Sequence, residues 1–437
     1  VAGPIVAVAE RVAQHGRGIL PVLPLRQLAR RARTVAAGVL VLALAAGGVV
    51  LAAAFRTAGE DARQVAERAA TGADLRVAVE LRTSVEPGQP AASASLVEGV
   101  PGVTGAFAVL ATGAAAGQDA VPLLAADAER LAVLPGADPA VAAYAADAPG
   151  RWGASLPFGS ERLGVRLSVQ PAAGVPATAI PDGATAEVVA WVADRDGAAV
   201  RVPLGTVPVA AAGESGAAKL AGRLPGGATA LLRIDVASPD LPATAPASVR
   251  LDDVRADGST VAFDAVADEE LTSRAPARLL PAPPPEGPLP VVVGAAFAER
   301  LGLRAGDEFA VRVSPMPQNL PVIVQGIARV VPGVDGSFAI VTDLAALEGR
   351  MAATGGSLAA ANELWIATGD PEAAASAVRA VLPTRTRIVT PATRSPGPVL
   401  DPALVLFAAG VGVGCLLAVL GFAAAVASIS VRRRAEL

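Results

Sequence analysis

Two long uncharged runs lie near the two ends of the chain. The first covers Thr34–Phe55, 22 residues, and the second covers Pro402–Val431, 30 residues. At about 1.5 Å rise per helical residue, each run is longer than the hydrocarbon layer of a bilayer, which is ~30 Å thick. Buried core helices are usually shorter than this. The pattern therefore predicts two transmembrane helices, over residues 34–55 and 402–431.

Between the runs, the hydrophobic pattern changes. Residues 56–150 continue the first helix and then mix short strands with turns, which predicts the first part of an α+β domain. Residues 157–266 contain short alternating segments separated by Gly, Pro and Asp, and they predict a β-sandwich inserted into that domain. Its predicted strands are Leu163–Val169, Ala186–Ala193, Ala198–Pro203, Ala228–Val236, Ser248–Val254 and Thr260–Asp264.

One turn of the predicted sandwich has a distinct sequence. Asp196–Gly197 suits a tight hairpin between two alternating segments. The run Asp194–Gly197 is too short for a calcium-binding loop of the D-x-D-x-D-G type, so the hairpin explains it better.

A proline-rich segment, residues 277–290, predicts an extended linker. After it, strands and helices alternate through residues 290–398, which predicts the second part of the α+β domain. The predicted strands are Pro290–Val293, Glu308–Val313, Pro321–Val330, Phe338–Val341, Glu363–Ala367 and Arg387–Val389, and the predicted helices are Ala295–Leu301, Leu344–Met351 and Pro371–Leu382. The predicted fold class is a membrane protein: two transmembrane helices flank an extracytoplasmic α+β domain with an inserted β-sandwich.

Arginine is concentrated beside both uncharged runs. Residues 1–33 carry six arginines against one glutamate, and residues 432–437 carry three against one. Positive charge marks the cytoplasmic side of membrane helices, so the pattern predicts two cytoplasmic ends and extracytoplasmic residues 56–401. The arginines predicted to set this topology are Arg26, Arg30, Arg31, Arg33, Arg432, Arg433 and Arg434.

The two cytoplasmic ends differ in pattern. Residues 1–33 suit an amphipathic connecting segment on the inner membrane face, and residues 432–437 form an Arg-rich end. Arginine outnumbers lysine 35 to 1 in a chain rich in Ala, Gly and Pro, which is typical of a high-GC bacterial genome. We therefore expect a multi-pass protein of the bacterial inner membrane.

The chain has very few residues that commonly carry out catalysis. Lys219 is the only lysine and does not follow a phosphate-binding loop, His15 is the only histidine, and Cys415 is the only cysteine. A nucleotide-binding loop requires its lysine, and the usual hydrolytic sites require a base beside the nucleophile. Ser215 and Lys219 are also one residue too far apart for the S-x-x-K pattern. We therefore predict no catalytic residue, no metal and no cofactor, and the acidic middle of the chain argues against a nucleic-acid partner.

Two weaker patterns remain. Trp191, in the predicted sandwich, is a candidate for a ligand groove because aromatic rings stack on sugars, although packing in the core is the alternative. Gly410 and Gly414 match the small-residue spacing of packed membrane helices.

Three stretches of the sequence resemble the FtsX-like permease family, the transmembrane subunits of MacB-type ABC transporters. The first is LPVLPLRQLARR with the following GADLRV, and the third is the final SVRRRAEL. The second combines LPVVVGAAFAERLGLRAGDEFAVRV (Leu289–Val313), PVIVQGIARVVPG (Pro321–Gly333) and AIVTDLAAL (Ala339–Leu347). The inserted β-sandwich departs from the simplest members of the family.

This resemblance implies a permease subunit, here a fragment of a larger permease, and not an enzyme. Its implied partners are a separate ABC ATPase, further transmembrane helices of the same permease and the lipid bilayer. ATP hydrolysis by the partner would move the extracytoplasmic head to export or extrude a lipid, lipoprotein or peptide, or to signal mechanically. The alternative is a membrane-tethered module whose sandwich binds cell-wall glycan, and an exterior hydrolase is a third hypothesis.

Overall fold

A computed structural model describes most of the chain between residues 69 and 391 and parts of both ends. The described residues are 43, 46–58, 69–79, 92–134, 136–210, 217–263, 269–314, 318–334, 336–354, 358, 361–382, 386–391 and 401–435. The chain divides into two compact units, Val65–Ser395 and a second unit made of Val1–Gln64 and Pro396–Leu437.

Strands predominate in the unit Val65–Ser395. They are β1 (Leu75–Ala78), β2 (Val103–Ala116), β3 (Asp119–Ala126), β4 (Ala154–Ser155), β5 (Arg162–Pro171), β6 (Thr185–Ala193), β7 (Ala199–Pro208), β8 (Ala218–Arg223), β9 (Ala230–Ala237), β10 (Ala247–Ala256), β11 (Ser259–Thr260), β12 (Glu269–Leu271), β13 (Ala277–Leu279), β14 (Leu289–Gly294), β15 (Glu308–Val313), β16 (Leu320–Ala328), β17 (Ile340–Asp343), β18 (Glu363–Thr368) and β19 (Arg387–Val389). Its helices are α1 (Ala128–Ala132), α2 (Pro139–Ala146), α3 (Ala295–Leu301), α4 (Leu344–Ala353) and α5 (Pro371–Val381), with 3-10 turns at Ala94–Leu96 and Ala177–Ala179.

A closed barrel forms the centre of this unit. Across the described residues, six strands follow the order β2–β3–β17–β14–β16–β15, and β15 pairs again with β2 through Arg312 and Val313. The pairs β14–β16 and β17–β3 are parallel, and the other barrel pairs are antiparallel. Strands β18, β1 and β19 extend the sheet outward from β2.

Strand alternation divides the barrel side chains between two cores. In β14, Leu289, Val291 and Val293 belong to the main core, while Val292 belongs to a smaller one on the other face. Successive side chains of a strand point to opposite faces, so a strand covered on both sides reads as a continuous apolar run. Helix α4 adds Leu344, Leu347 and Met351 to the main core.

Two five-stranded sheets lie between β3 and β14 in sequence. One has the order β11–β10–β5–β8 with β12 beside β10, and the other has the order β13–β9–β6–β7 with β4 beside β9. Their facing sides share a separate core that includes Leu167 of β5 and Ile234 of β9. The outer face of β6 and β9 packs on the barrel core through Ala193 and Leu232. We refer to residues 154–279 as the sandwich.

Local sequence determines where several helices begin and end. Helix α5 begins at Pro371, whose missing N–H costs nothing at that position, and the side chain of Asp370 accepts the N–H groups of Glu372 and Ala373. Helix α3 ends at Gly302, which has a φ of 69°, a conformation that glycine adopts without strain.

The prediction of two transmembrane helices is wrong. In the second unit, residues 46–58 are helical and α6 spans Asp401–Ala435, while residues 34–42, 44 and 45 lie outside the described residues. Within the described part of the chain, no helix combines the length and apolar character needed to cross a membrane. The helix described at residues 46–58 has 13 residues, fewer than the about 20 that a transmembrane helix requires.

The predicted fold class is corrected accordingly to a mixed α/β fold built on a six-stranded barrel. Closure depends on the pairing of β15 with β2, whose partners Arg312 and Ala115 are far apart in sequence. A hydrophobic pattern reports which residues alternate, but not which distant strands become neighbours. No pattern in the sequence therefore indicates that the sheet closes into a barrel.

Candidate functional site

Trp191 packs between the sandwich and the barrel. It is half-buried in β6 and contacts the main barrel core. Its indole N–H donates to Oδ2 of Asp235 at 2.8 Å, and the guanidinium carbon of Arg233 lies 5.8 Å from its ring centroid. One ring face and the only polar atom of the indole are therefore occupied by neighbours within the chain.

The other two tryptophans are also held by contacts within the protein. Trp152 donates its indole N–H to the carbonyl of Pro283 at 3.0 Å, inside the segment predicted to be a linker. Trp365 is fully buried in β18 and donates to Oε2 of Glu363 at 3.1 Å. That carboxylate also binds Arg76 through two hydrogen bonds of 2.6 and 2.7 Å.

The residues predicted to set membrane topology are largely outside the described residues. Arg26, Arg30, Arg31 and Arg33 fall there, and for Arg432, Arg433 and Arg434 only the backbone of α6 is described. Gly410 and Gly414 lie exposed in α6, and a Cβ atom at either position would meet no described atom within 4 Å. Packing at these glycines stays a prediction.

The predicted hairpin at Asp196–Gly197 is confirmed. Residues 194–198 connect β6 to β7, and Oδ1 of Asp194 accepts the N–H groups of Asp196 and Ala198, both at 2.9 Å. Gly197 has a φ of 85°, and a Cβ atom there would lie 2.7 Å from Cβ of Ala345 in α4. The turn therefore packs directly on this helix of the barrel.

Buried charged groups gather where α4 meets the sandwich. Glu348 in α4 is 0% exposed, and Asp194 and Arg233 are nearly as deeply buried. Arg233 forms an ion pair with Asp235 at 2.8 Å and donates from Nη1 to the carbonyl of Ala352, in the last turn of α4, at 3.3 Å. This arrangement joins strand β9 of the sandwich to α4.

Burial raises the pKa of two carboxyl groups of this cluster, Glu348 and Asp194, and so favours their neutral forms. Burial raises the pKa of Glu348 well above the usual range of a glutamate, while Arg233 acts in the opposite direction. Burial, and then the nearby charge of Asp196, raise the pKa of Asp194 to about 7. No three His, Cys, Asp or Glu side chains among the described residues are grouped so that they could hold a metal ion.

An open cavity lies where β1 begins, β18 ends and α1 is followed by a turn. It has a volume of about 250 Å³. Its apolar lining includes Phe107, Leu134 and Ile366, and Val133, which is 79% exposed, lies at its mouth.

Two charged residues, Asp74 and Arg130, also line the cavity. Oδ2 of Asp74 accepts the N–H of Thr368 at 3.1 Å, and Arg130 is exposed in α1. Sequence analysis did not assign any residue of this cavity to a binding site, although Gly72, Ala73 and Asp74 lie in the GADLRV stretch. The lining residues come from four separate segments, and each apolar member looks like an ordinary core position in its own segment.

No protein-family model matches the sequence, and no curated protein matches it either. The similarity to the FtsX-like permease family therefore rests on the stretches quoted above and stays a prediction.

Proposed function

We propose that the unit Val65–Ser395 is a non-enzymatic binding module of an ATP-driven assembly, and that its cavity takes up part of an acyl chain of an anionic lipid. The cavity, with its apolar lining and a single arginine, is the observation that supports this proposal. Binding sites for small molecules are typically concave and apolar, with a few polar groups that fix orientation.

The size of the cavity suits part of a ligand. Its volume of about 250 Å³ is below the ~300–1,000 Å³ typical of pockets that enclose a whole drug-sized molecule. An acyl chain can insert a few methylene groups and leave the rest outside. Each inserted CH₂ group contributes roughly 0.8 kcal/mol when it leaves water.

Charge at the cavity favours an anionic headgroup. Arg130 is exposed, and its guanidinium offers a planar set of donors that matches carboxylate and phosphate oxygens. Asp74 is half-buried and accepts a backbone N–H, so its negative charge is partly compensated within the protein. With the anionic headgroup beside Arg130, the acyl chain of the lipid would contact the apolar lining of the cavity.

The resemblance to the FtsX-like permease family adds the assembly to this proposal. That family works with a separate ATPase, and lipids are among the substrates that the resemblance implies. In this proposal the barrel and sandwich move together because Ala193 and Leu232 of the sandwich belong to the barrel core. An extracytoplasmic position of the module stays part of the proposal.

Glycan binding at Trp191 is the weaker candidate. Its indole N–H is bound to Asp235 and one ring face lies beside Arg233, so the stacking surface that a sugar requires is reduced.

A fluorescent fatty-acid probe titrated into the purified full-length chain tests the proposal. Gly105 lies on the same face of β2 as Phe107, and a Cβ atom at Gly105 would meet nothing within 4 Å, so Gly105→Leu should fill the cavity without a clash. Displacing about two methylene groups should weaken binding about tenfold. Arg130→Gln should weaken binding of the anionic probe but not binding of an uncharged analogue.

Gly113→Leu is the matched control, because Gly113 lies in the same strand, is exposed, and does not line the cavity. Equal probe affinity in the Gly105→Leu and Gly113→Leu variants would show that the cavity is not the binding site. Saturable binding of soluble glycans instead of the probe would support the alternative.

A further inference from the structure

Glu348 is the most deeply buried carboxyl group that the proposed function does not use. It lies in the middle of α4, is 0% exposed, and neither of its side-chain oxygens has a hydrogen-bond partner among the described residues. A charged carboxylate that is buried without hydrogen bonds is strongly unfavourable, and such a group usually becomes neutral instead.

Charged groups lie on several of the elements that pack on α4. The sandwich strand β9 brings Arg233 and Asp235, and the turn between β6 and β7 brings Asp194 and Asp196. The flanks of α4 carry Asp343 at its N-cap and Arg350 in its last turn. Among the barrel strands that contact α4, β14 has no titratable side chain, β17 ends in Asp343, and Asp119 of β3 pairs with Arg300.

Arg233 is the cation whose charge acts on Glu348. Arg233 is paired with Asp235, and it also donates to Ala352 of α4. Asp194 has the opposite effect, because its negative charge repels a carboxylate at Glu348. Among the described residues, Glu348 therefore receives an attraction from Arg233, a repulsion from Asp194 and no hydrogen bond.

We propose that Glu348 is a proton-binding site that controls how firmly α4 is held against β9 and the Asp194–Ala198 turn of the sandwich. With the proton bound, the side chain is neutral and can remain fully buried at this position. When the proton passes to solvent, the carboxylate draws in water and this contact loosens. The raised pKa of both Glu348 and Asp194 agrees with this role.

The sign of the pH dependence follows from these shifts. Consider a carboxyl group whose pKa is raised while α4 is held against the sandwich. It stabilises that contact fully at pH values below its ordinary pKa, and this stabilisation is lost as the pH rises through the raised pKa. For Asp194 the loss is complete above about 7. Glu348 follows the same trend, because burial raises its pKa well above the ordinary value of a glutamate.

Amide hydrogen exchange of the full-length chain measures this opening directly. After correction for intrinsic exchange, the opening constant of α4 and of residues 194–198 should rise as the pH rises above the ordinary pKa of a carboxyl group, by at most about tenfold per pH unit for each proton released on opening. In Glu348→Gln this rise should become shallower, because only Asp194 still releases a proton, while β18 in both proteins should show no such dependence. Glu299→Gln, an exposed change in α3, is the matched control and should retain the rise.

Infrared spectroscopy provides a second measurement. At neutral pH the wild-type chain should show the C=O stretch of protonated carboxyl groups, and Glu348→Gln should lose the part that Glu348 contributes and keep the part from Asp194. Absence of that band, or an opening constant that is independent of pH, would overturn the proposal. Failure of Glu348→Gln to fold would also overturn it, because a neutral side chain of the same shape would then be shown not to replace the native group.

Discussion

Gly72 provides a sharp test of how the chain is packed at the start of β1. It has a φ of +81°, a conformation that L side chains rarely adopt. A Cβ atom there would lie 2.4 Å from Cη2 and 2.6 Å from Cζ3 of Trp365, both on the six-membered part of the indole. Trp365 has little room to move, since it is fully buried and its N–H is bound to Glu363. Gly72→Ala should therefore be strongly destabilising.

Two effects contribute to the magnitude. Holding alanine at this φ costs roughly 1–2 kcal/mol. Forcing a methyl group into a packed core costs typically about 1–3 kcal/mol more. The free energy of unfolding should therefore fall by about 2–5 kcal/mol, which corresponds to a Tm lowered by roughly 3–7 °C for a unit of this size.

Gly99→Ala separates the two effects. Gly99 also has a positive φ, of +80°, but a Cβ atom there would meet nothing within 4 Å. Thermal and urea unfolding of both variants should show a smaller loss for Gly99→Ala, since only the backbone effect remains. A Trp365→Phe background should recover part of the extra loss in a double-mutant cycle. Equal losses in the two glycine variants, without coupling to Trp365, would refute the reasoning.

Four further predictions address the network beside β1, the sandwich, the assembly and the location. Glu363→Gln should lower the free energy of unfolding by about 3 kcal/mol or more in urea titrations, because the largely buried Arg76 loses its charged partner; a loss below 1 kcal/mol would contradict this. Residues 154–279 expressed alone should give a β-type circular dichroism spectrum and a cooperative melt, since their core is separate from that of the barrel; a random-coil spectrum would contradict this. The purified chain should show no ATP turnover without a partner ATPase, and turnover by the pure chain would contradict the proposed assembly. In whole cells, Ser259→Cys made in a Cys415→Ser background should react with a membrane-impermeant thiol reagent. A cysteine protected from the reagent would contradict the proposed location.

Local sequence patterns predicted many elements closely. The predicted bounds of Ala295–Leu301, Glu308–Val313 and Arg387–Val389 agree with the structure, and so does the hairpin at Asp196–Gly197. These features depend on neighbouring residues: apolar periodicity, a glycine that accepts a positive φ, and turn residues between alternating segments. Strand β8, Ala218–Arg223, was missed because its small residues resemble a Gly/Ala-rich loop.

Features that depend on distant residues were decided by the tertiary structure. The cavity joins Asp74, Phe107, Arg130 and Ile366, and no spacing in the sequence links these positions. Strand β9 is buried on both faces because the sandwich packs on the barrel, so its pattern does not reveal that one face meets α4.

The sequence by itself determined the local elements, the turns and the scarcity of catalytic residue types. Only the tertiary structure decided that the sheet closes into a barrel, that Trp191 packs against Arg233, and that Glu348 is buried with no hydrogen-bond partner among the described residues. The physical reason is that a residue's periodicity records whether its side chain is apolar, while its partner, burial and pKa depend on which distant segments come to lie beside it.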